Sequence, residues 1–144
     1  MKKRVLFLCT HNSSRSQMAE GWLRHLYGDR YDALSAGTQP TAVHPLAVRA
    51  MAEVGIDISG QASKSVDLFH DVPIHWAITL CDQARETCPY FPYAEEIFHA
   101  GFADPAAVQG SEDEKMAAFR FARDEIRRWI EVAFSGDDAG GIRR

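Results

Sequence analysis

Val5-Leu6-Phe7-Leu8-Cys9-Thr10-His11-Asn12-Ser13-Ser14-Arg15-Ser16 is the stretch that decides how this chain folds. Four consecutive apolar residues suit a strand covered on both faces in a parallel sheet. The small polar residues after them form a turn. Beyond it Met18, Ala19, Trp22, Leu23, Leu26 and Tyr27 recur at helical spacing, and Gly28 can end the helix. A polar loop between a buried strand and a helix start can turn its N–H groups inward as a nest for a tetrahedral oxyanion, aided by the positive end of the helix dipole. Arg15 can clamp the anion's oxygens through two parallel hydrogen bonds. The same field favours thiolate over thiol at Cys9, which makes it a candidate nucleophile aimed at the anion. Ser16 can donate to that sulfur, and His11 is expected to be a tolerated polar residue rather than a base.

Ala33–Ala36 is a short strand candidate ended by Gly37. Pro45 opens a helix with the stripe Ala47, Val48, Met51 and Val54 and a stop at Gly55. Residues 65–70 suit a short helical turn, and Trp76-Ala77-Ile78-Thr79-Leu80 is a second buried strand that delivers Cys81 at its end. Pro89 and Pro92 enforce an irregular segment before a weaker strand near Ile97-Phe98. A loop holding Gly101, Asp104, Pro105 and Gly110 follows. Ser111 and Glu114 form a capping box for a last helix with the stripe Phe119, Ala122, Ile126, Ile130 and Ala133. Strands alternating with helices predict a single α/β domain over residues 1–134, its sheet mainly parallel, with a flexible tail over 135–144. In such sheets ligands bind at the C-terminal strand ends, where Cys9, Cys81 and the Asp104 loop can converge.

The 144 residues carry 16 Lys+Arg against 20 Asp+Glu, a net charge of -4. That field repels nucleic acid and anionic membrane surfaces, so anion binding must be local. No apolar run approaches the ~20 residues of a membrane helix, and Val5 to Leu8 is too short for a signal-peptide core, so the expected compartment is the cytosol. Three cysteines, Cys9, Cys81 and Cys88, do not make a static disulfide framework. On a rigid helix Cys81 and Cys88 would stand about 10 Å apart, beyond the disulfide limit of about 7 Å, so any bridge needs residues 82–88 to bend. By themselves the two are open to three readings: a redox pair, buried thiols, or a zinc site, the last poorly matched by their spacing and by the six histidines.

Val5 to Gly21, VLFLCTHNSSRSQMAEG, resembles the phosphate-binding loop of the low-molecular-weight protein tyrosine phosphatase family, and SQMAEGW resembles its arsenate reductase branch. The likeness continues through YDALSAGTQP, HPLAVRAMAEVGIDIS, ITLCDQARETCPYFP and FADPA, over roughly residues 4 to 130. It implies a four-stranded parallel sheet flanked by helices. It also implies a thiol relay. Cys9 attacks arsenate while Asp104 protonates the departing oxygen, Cys81 attacks Cys9 as arsenite leaves, and Cys88 attacks Cys81 to leave a Cys81–Cys88 disulfide. Thioredoxin or a similar dithiol protein would reset it, with arsenate as substrate, no cofactor, and the chain acting as a monomer. Two departures stand out: Ala100 follows His99 where the family often has tryptophan, and Ala106-Ala107 follow Asp104-Pro105 where phosphatases place an aromatic. The second argues for a small inorganic oxyanion. Some members bind potassium through residues that Asn12, Glu20 and Ser35 match, but Lys64 stands where an aspartate completes that set, so no metal is expected. Asn12, Ser16 and Glu20 are instead expected to support the loop formed with Thr10, His11, Ser13, Ser14 and Arg15. The alternatives are a phosphatase of phosphomonoesters and a non-catalytic protein whose three thiols bind As(III).

Overall fold

Residues 2–136 and 141–142 are described by the computed structural model of the chain. Strands β1 (Lys3–Leu8), β2 (Tyr31–Ala36), β3 (Ile74–Thr79) and β4 (Ala94–His99) join in the order β2-β1-β3-β4, every pairing parallel. Helices α1 (Arg15–Tyr27), α2 (Pro45–Ala52) and α3 (Glu112–Ala133) complete the described elements, with short 3-10 turns at Val66–Phe69 and Pro105–Ala107. The strands at residues 33–36 and 76–80 begin two residues earlier than their apolar runs suggest, because Tyr31 and Ile74 also pair and are buried. β4, the weaker strand near Ile97-Phe98, is a partly exposed edge of the sheet.

β1 is central because its alternate residues serve two cores. Val5 and Phe7 face α1, α2 and α3 in the larger cluster, with Met18, Trp22, Met51 and Phe119. Leu6 and Leu8 face the other side, where Phe69, Ile74 and Phe91 close a smaller cluster. All four are fully buried, the condition that a continuous apolar run meets and an alternating strand does not. Trp22 Nε1 donates to Arg123 O at 3.1 Å, tying α1 to α3.

The predicted stops differ in kind. After α2, Gly55 takes φ +82° and Ile56 N–H reaches back to Met51 O at 3.0 Å, a left-handed stop that only glycine adopts cheaply. After α1, Gly28 keeps right-handed φ −64° and the chain leaves through a turn in which Arg30 N–H bonds Tyr27 O. The Ser111–Glu114 capping box is formed in both directions. Of the expected tail, Ser135, Gly136, Gly141 and Ile142 are described, and Ile142 packs against the main core; 137–140, 143 and 144 lie outside the described residues.

Glu53, just past α2, accepts from Arg120 Nε at 2.8 Å and Nη2 at 2.7 Å, and from Arg123 Nη1 at 3.0 Å. The Arg120 hydrogen bond, opposed by desolvation and reinforced by Arg123, holds the Glu53 carboxyl down from 4.5 to about 2. A carboxylate depressed in the folded state gives stability that is complete above its ordinary value and is lost as pH falls toward the folded one. Glu53→Gln should therefore flatten the decline of the urea midpoint between pH 4.5 and about 2. Equal slopes in the two proteins would show that this clamp does not couple to folding.

Candidate active site

The parallel register brings β1 and β3 to one end of the sheet. Leu8 pairs with Thr79, and Leu80 N–H donates to Leu8 O at 2.8 Å, so Cys9 and Cys81 leave adjacent strands side by side. Strands in a sheet lie about 4.8 Å apart, which sets the scale of their separation. The acid loop is drawn to the same edge, since Ala100 N–H bonds Thr79 O at 2.9 Å and Phe102 N–H bonds Leu80 O at 3.2 Å. Ala100 is buried, and Phe102, two positions on, packs against the core.

The loop from Cys9 to Ser16 is shaped by its carbonyls being engaged outward. Thr10 O accepts from Gln39 N–H, His11 O from Thr41 N–H and Ser63 Oγ, Asn12 O from Gln17 Nε2, and Ser13 O from His44 N–H. With the carbonyls turned away, the amides can face the pocket, which a nest requires. Asn12 makes the reversal at φ +49°, a left-handed conformation that asparagine tolerates. Its Nδ2 donates to Ser16 Oγ at 2.8 Å and its Oδ1 accepts Lys64 N–H at 2.8 Å. Gly37 lies directly behind: a Cβ there would stand 2.5 Å from Thr10 O and 2.8 Å from Asn12 N. The loop fits against β2's end because that position has no side chain. In the sequence Gly37 reads only as a strand stop and Gln17 as one polar residue of the helix start; Gln17 Nε2 also donates to Ala62 O at 2.9 Å.

The pocket above the loop is lined by Cys9, His11, Ser13, Ser14, Arg15, Thr41, Asp104 and Ala106. Cys9 is a buried free thiol with Sγ 2.8 Å from Ser16 Oγ. His11 is exposed, its Nδ1 3.0 Å from Gln39 O. Ser14 Oγ and Arg15 Nε are buried and have no hydrogen-bond partner among the described residues. Leaving such groups unmet costs about 1–3 kcal/mol each, so two of them in one pocket mark a place built to receive a polar ligand. Asp104 Oδ1 accepts from Ala106 N–H at 2.9 Å, which caps the short turn, while Oδ2 stands 3.8 Å from Arg15 Nη2.

Arg15 is 4% exposed and heavily engaged. Nη1 and Nη2 donate to the two carboxylate oxygens of Glu86 at 2.5 and 2.6 Å, and Nη1 also donates to Phe102 O at 3.0 Å. Burial works against the guanidinium's charge, but the Glu86 hydrogen bond and the charges of Asp104, Cys9 and Glu86 outweigh it and raise its pKa above the ordinary value. In return the Arg15 hydrogen bond, against the opposing effect of burial and with help from Asp82 N–H, holds the Glu86 carboxyl below its ordinary range. No motif marks Glu86 in the sequence. It is one of two acids between the cysteines, and only the fold carries it 71 positions back to Arg15.

Cys81 and Cys88 form a disulfide with a Cα separation of 5.6 Å. The separation is possible because residues 82–88 are a turn rather than a helix, with Arg85 and Glu86 N–H both bonded to Asp82 O. His99, at the end of β4, brings Nδ1 4.0 Å from Cys88 Sγ and 2.8 Å from Thr79 Oγ1. Cys81, Cys88 and His99 are the group of metal-capable donors close enough to share an ion among the described residues, but here the two sulfurs are bonded to each other. Below the loop, Glu20 accepts from Ser35 Oγ at 2.6 Å and Arg24 Nη2 at 2.7 Å, and the Lys64 ammonium lies 3.5 Å away. No helix among the described residues is long and apolar enough to cross a membrane.

The chain is 48% identical over 131 residues to an arsenate reductase of Halalkalibacterium halodurans, covering 91% of this chain and 94% of that protein. It is 47% identical over 137 residues to the arsenate reductase of Bacillus subtilis (strain 168), covering 93% and 97%. Among solved structures it is similar to an arsenate reductase in the oxidized state, with a TM-score of 0.74, 33% identity and coverage of 90% of this chain and 94% of that one. An arsenate reductase in the phosphate binding state matches with a TM-score of 0.72 and 32% identity over the same shares of the two chains. The family model of low molecular weight phosphotyrosine protein phosphatases matches residues 4–133, and the chain belongs to that family.

Proposed function

We propose that this protein reduces arsenate to arsenite by a relay of Cys9, Cys81 and Cys88, as a cytosolic monomer reset by a thioredoxin-type dithiol protein. The observation that carries the reading is the Cys81–Cys88 disulfide, whose loop lays Glu86 on Arg15 beside the free Cys9 thiol. A phosphatase needs a nucleophile, an arginine and an acid, but no additional pair of thiols at the same sheet edge. The pocket lining favours the same conclusion, since among the described residues it contains Ala106 and no Phe, Tyr or Trp to stack on an aryl ester. The names of the relatives agree with it.

In the relay, the loop amides and Arg15 hold the oxyanion while Cys9 Sγ bonds to As(V) and an oxygen departs as water with a proton from Asp104. Cys81 Sγ then bonds to Cys9 Sγ. The S–As bond breaks, its electron pair stays on arsenic, and As(III) leaves as arsenite. Cys88 Sγ attacks Cys81 Sγ, expelling Cys9 as thiolate and leaving the Cys81–Cys88 bridge. Two thiols are oxidised to one disulfide as arsenic gains two electrons. The external dithiol returns those electrons.

The acid step makes a separable expectation. Asp104→Asn keeps the side chain's size and its acceptor for Ala106 N–H but has no proton to give. General acid catalysis is typically worth 10²–10⁴-fold, so the single-turnover rate with arsenate should drop by that order while the disulfide product still forms. Rates within twofold of wild type across pH 6 to 8, measured by rapid quench, would leave Asp104 as a turn residue only.

A further inference from the structure

From the Arg15–Glu86 pairing we infer that Glu86 is an internal counter-anion which, in the disulfide form, neutralises the Arg15 clamp and weakens oxyanion binding until the bridge is reduced. The inference rests on the reading of the Cys9–Ser16 loop as an oxyanion site. Of the five N–H donors that a guanidinium carries, Glu86 takes one on each terminal nitrogen and Phe102 O takes a further one on Nη1. The Nε–H, buried without a partner, and the second Nη2–H are left for an incoming oxygen. Glu86 therefore does not seal the pocket; it removes the net charge from the clamp. Asp104 stands farther off, 3.8 Å from the same guanidinium, so Glu86 is the carboxylate that neutralises the clamp.

Glu86 reaches Arg15 because of the loop that carries it. Its Oε2 also accepts Asp82 N–H at 2.8 Å, and its own N–H is bonded to Asp82 O at 2.8 Å, so the carboxylate is held within one tight turn. That turn is closed by the disulfide at its two ends. Gln83, Ala84, Arg85 and Thr87 are exposed, so besides the bridge and the Arg15 contact the segment is held by short-range hydrogen bonds to Asp82, on a solvent-exposed turn. Reduction adds two electrons and two protons, breaks the Cys81 Sγ–Cys88 Sγ bond, and oxidises the incoming dithiol to its own disulfide. Without the cross-link the turn samples many more shapes, and the carboxylate is no longer presented to Arg15 at high effective concentration. The clamp regains its charge in the form that has thiols ready to react. In the oxidised form, waiting for its reductant, it competes poorly for arsenate or phosphate.

Inorganic phosphate, which cannot be reduced by the thiols, tests this by calorimetric titration of wild type and Glu86→Gln. Each is taken with the Cys81–Cys88 bridge closed and after reduction with a phosphine. Wild type should bind phosphate at least tenfold more weakly when oxidised. Glu86→Gln should tighten the oxidised form about tenfold and change the reduced form by less than threefold. By linkage, saturating phosphate should also raise the wild-type disulfide potential by about 30 mV per tenfold difference in affinity, and the variant's by far less. Glu86→Ala, expected to act in the same direction, serves if the glutamine variant does not fold. Oxidised Glu86→Gln binding phosphate no more tightly than oxidised wild type overturns the inference and leaves the oxyanion site intact. Failure of every form to bind phosphate, with Arg15→Ala indistinguishable from wild type, overturns the site reading and the inference together.

Discussion

Cys88→Ser should release one arsenite per molecule and then stall, whereas Cys81→Ser should release none. Cys88 acts only after arsenic has left, so its loss leaves Cys9 and Cys81 to supply both electrons and trap themselves as a Cys9–Cys81 disulfide. The positions make that bond reachable, because the two cysteines follow adjacent parallel strands at the same sheet edge. The bridge proposed as the external dithiol's target cannot then form, and multiple turnovers with thioredoxin and its reductase should collapse to background. Cys81→Ser fails earlier, with the Cys9 adduct lacking its first resolving thiol. Arsenite measured by chromatography after stoichiometric arsenate separates the two variants. Sustained thioredoxin-coupled turnover by Cys88→Ser would remove Cys88 from the relay.

An equally large effect is expected of Cys9→Ser, which should lower arsenate reduction below 1% of wild type. A serine hydroxyl is un-ionised at neutral pH and cannot give up electrons as a sulfur–sulfur bond, so both the first and second steps fail. At about 1.36 kcal/mol per tenfold, a hundredfold loss is only about 2.7 kcal/mol, a modest floor for removing a nucleophile. The substitution is nearly isosteric at a site where Sγ contacts Ser16 Oγ, so the fold should persist and the loss can be read as chemistry. Residual arsenate-dependent NADPH oxidation above that floor in the coupled assay would contradict the assignment. Phosphate titration of the same variant tells whether the loop still takes an oxyanion.

The parts legible in the sequence were those set by local rules. Val5 to Leu8 announced a strand with two buried faces, the Phe119 to Ala133 stripe announced α3, and Ser111 with Glu114 announced its start. The catalytic candidates were legible for a related reason: Cys9 and Arg15 lie within one loop, and Cys81 and Asp104 follow strands whose C-terminal ends must share an edge in a parallel sheet. What escaped was contact at long range between residues without a distinguishing type. Glu86 is an ordinary loop acid until the bend at residues 82–88 brings it to Arg15. Gly37 looks like a strand stop until Thr10 and Asn12 are found packed against its missing side chain. His99 matched a pattern but showed its place beside Cys88 only once β4 paired with β3.

The relay as a whole is tested most directly by reducing the wild-type protein, adding one equivalent of arsenate, quenching with an alkylating agent and mapping every cysteine by peptide mass spectrometry. The expected result is one arsenite per molecule, Cys9 alkylated, and Cys81 joined to Cys88. Arsenite formed while Cys81 and Cys88 are both recovered as alkylated thiols would contradict the three-cysteine mechanism.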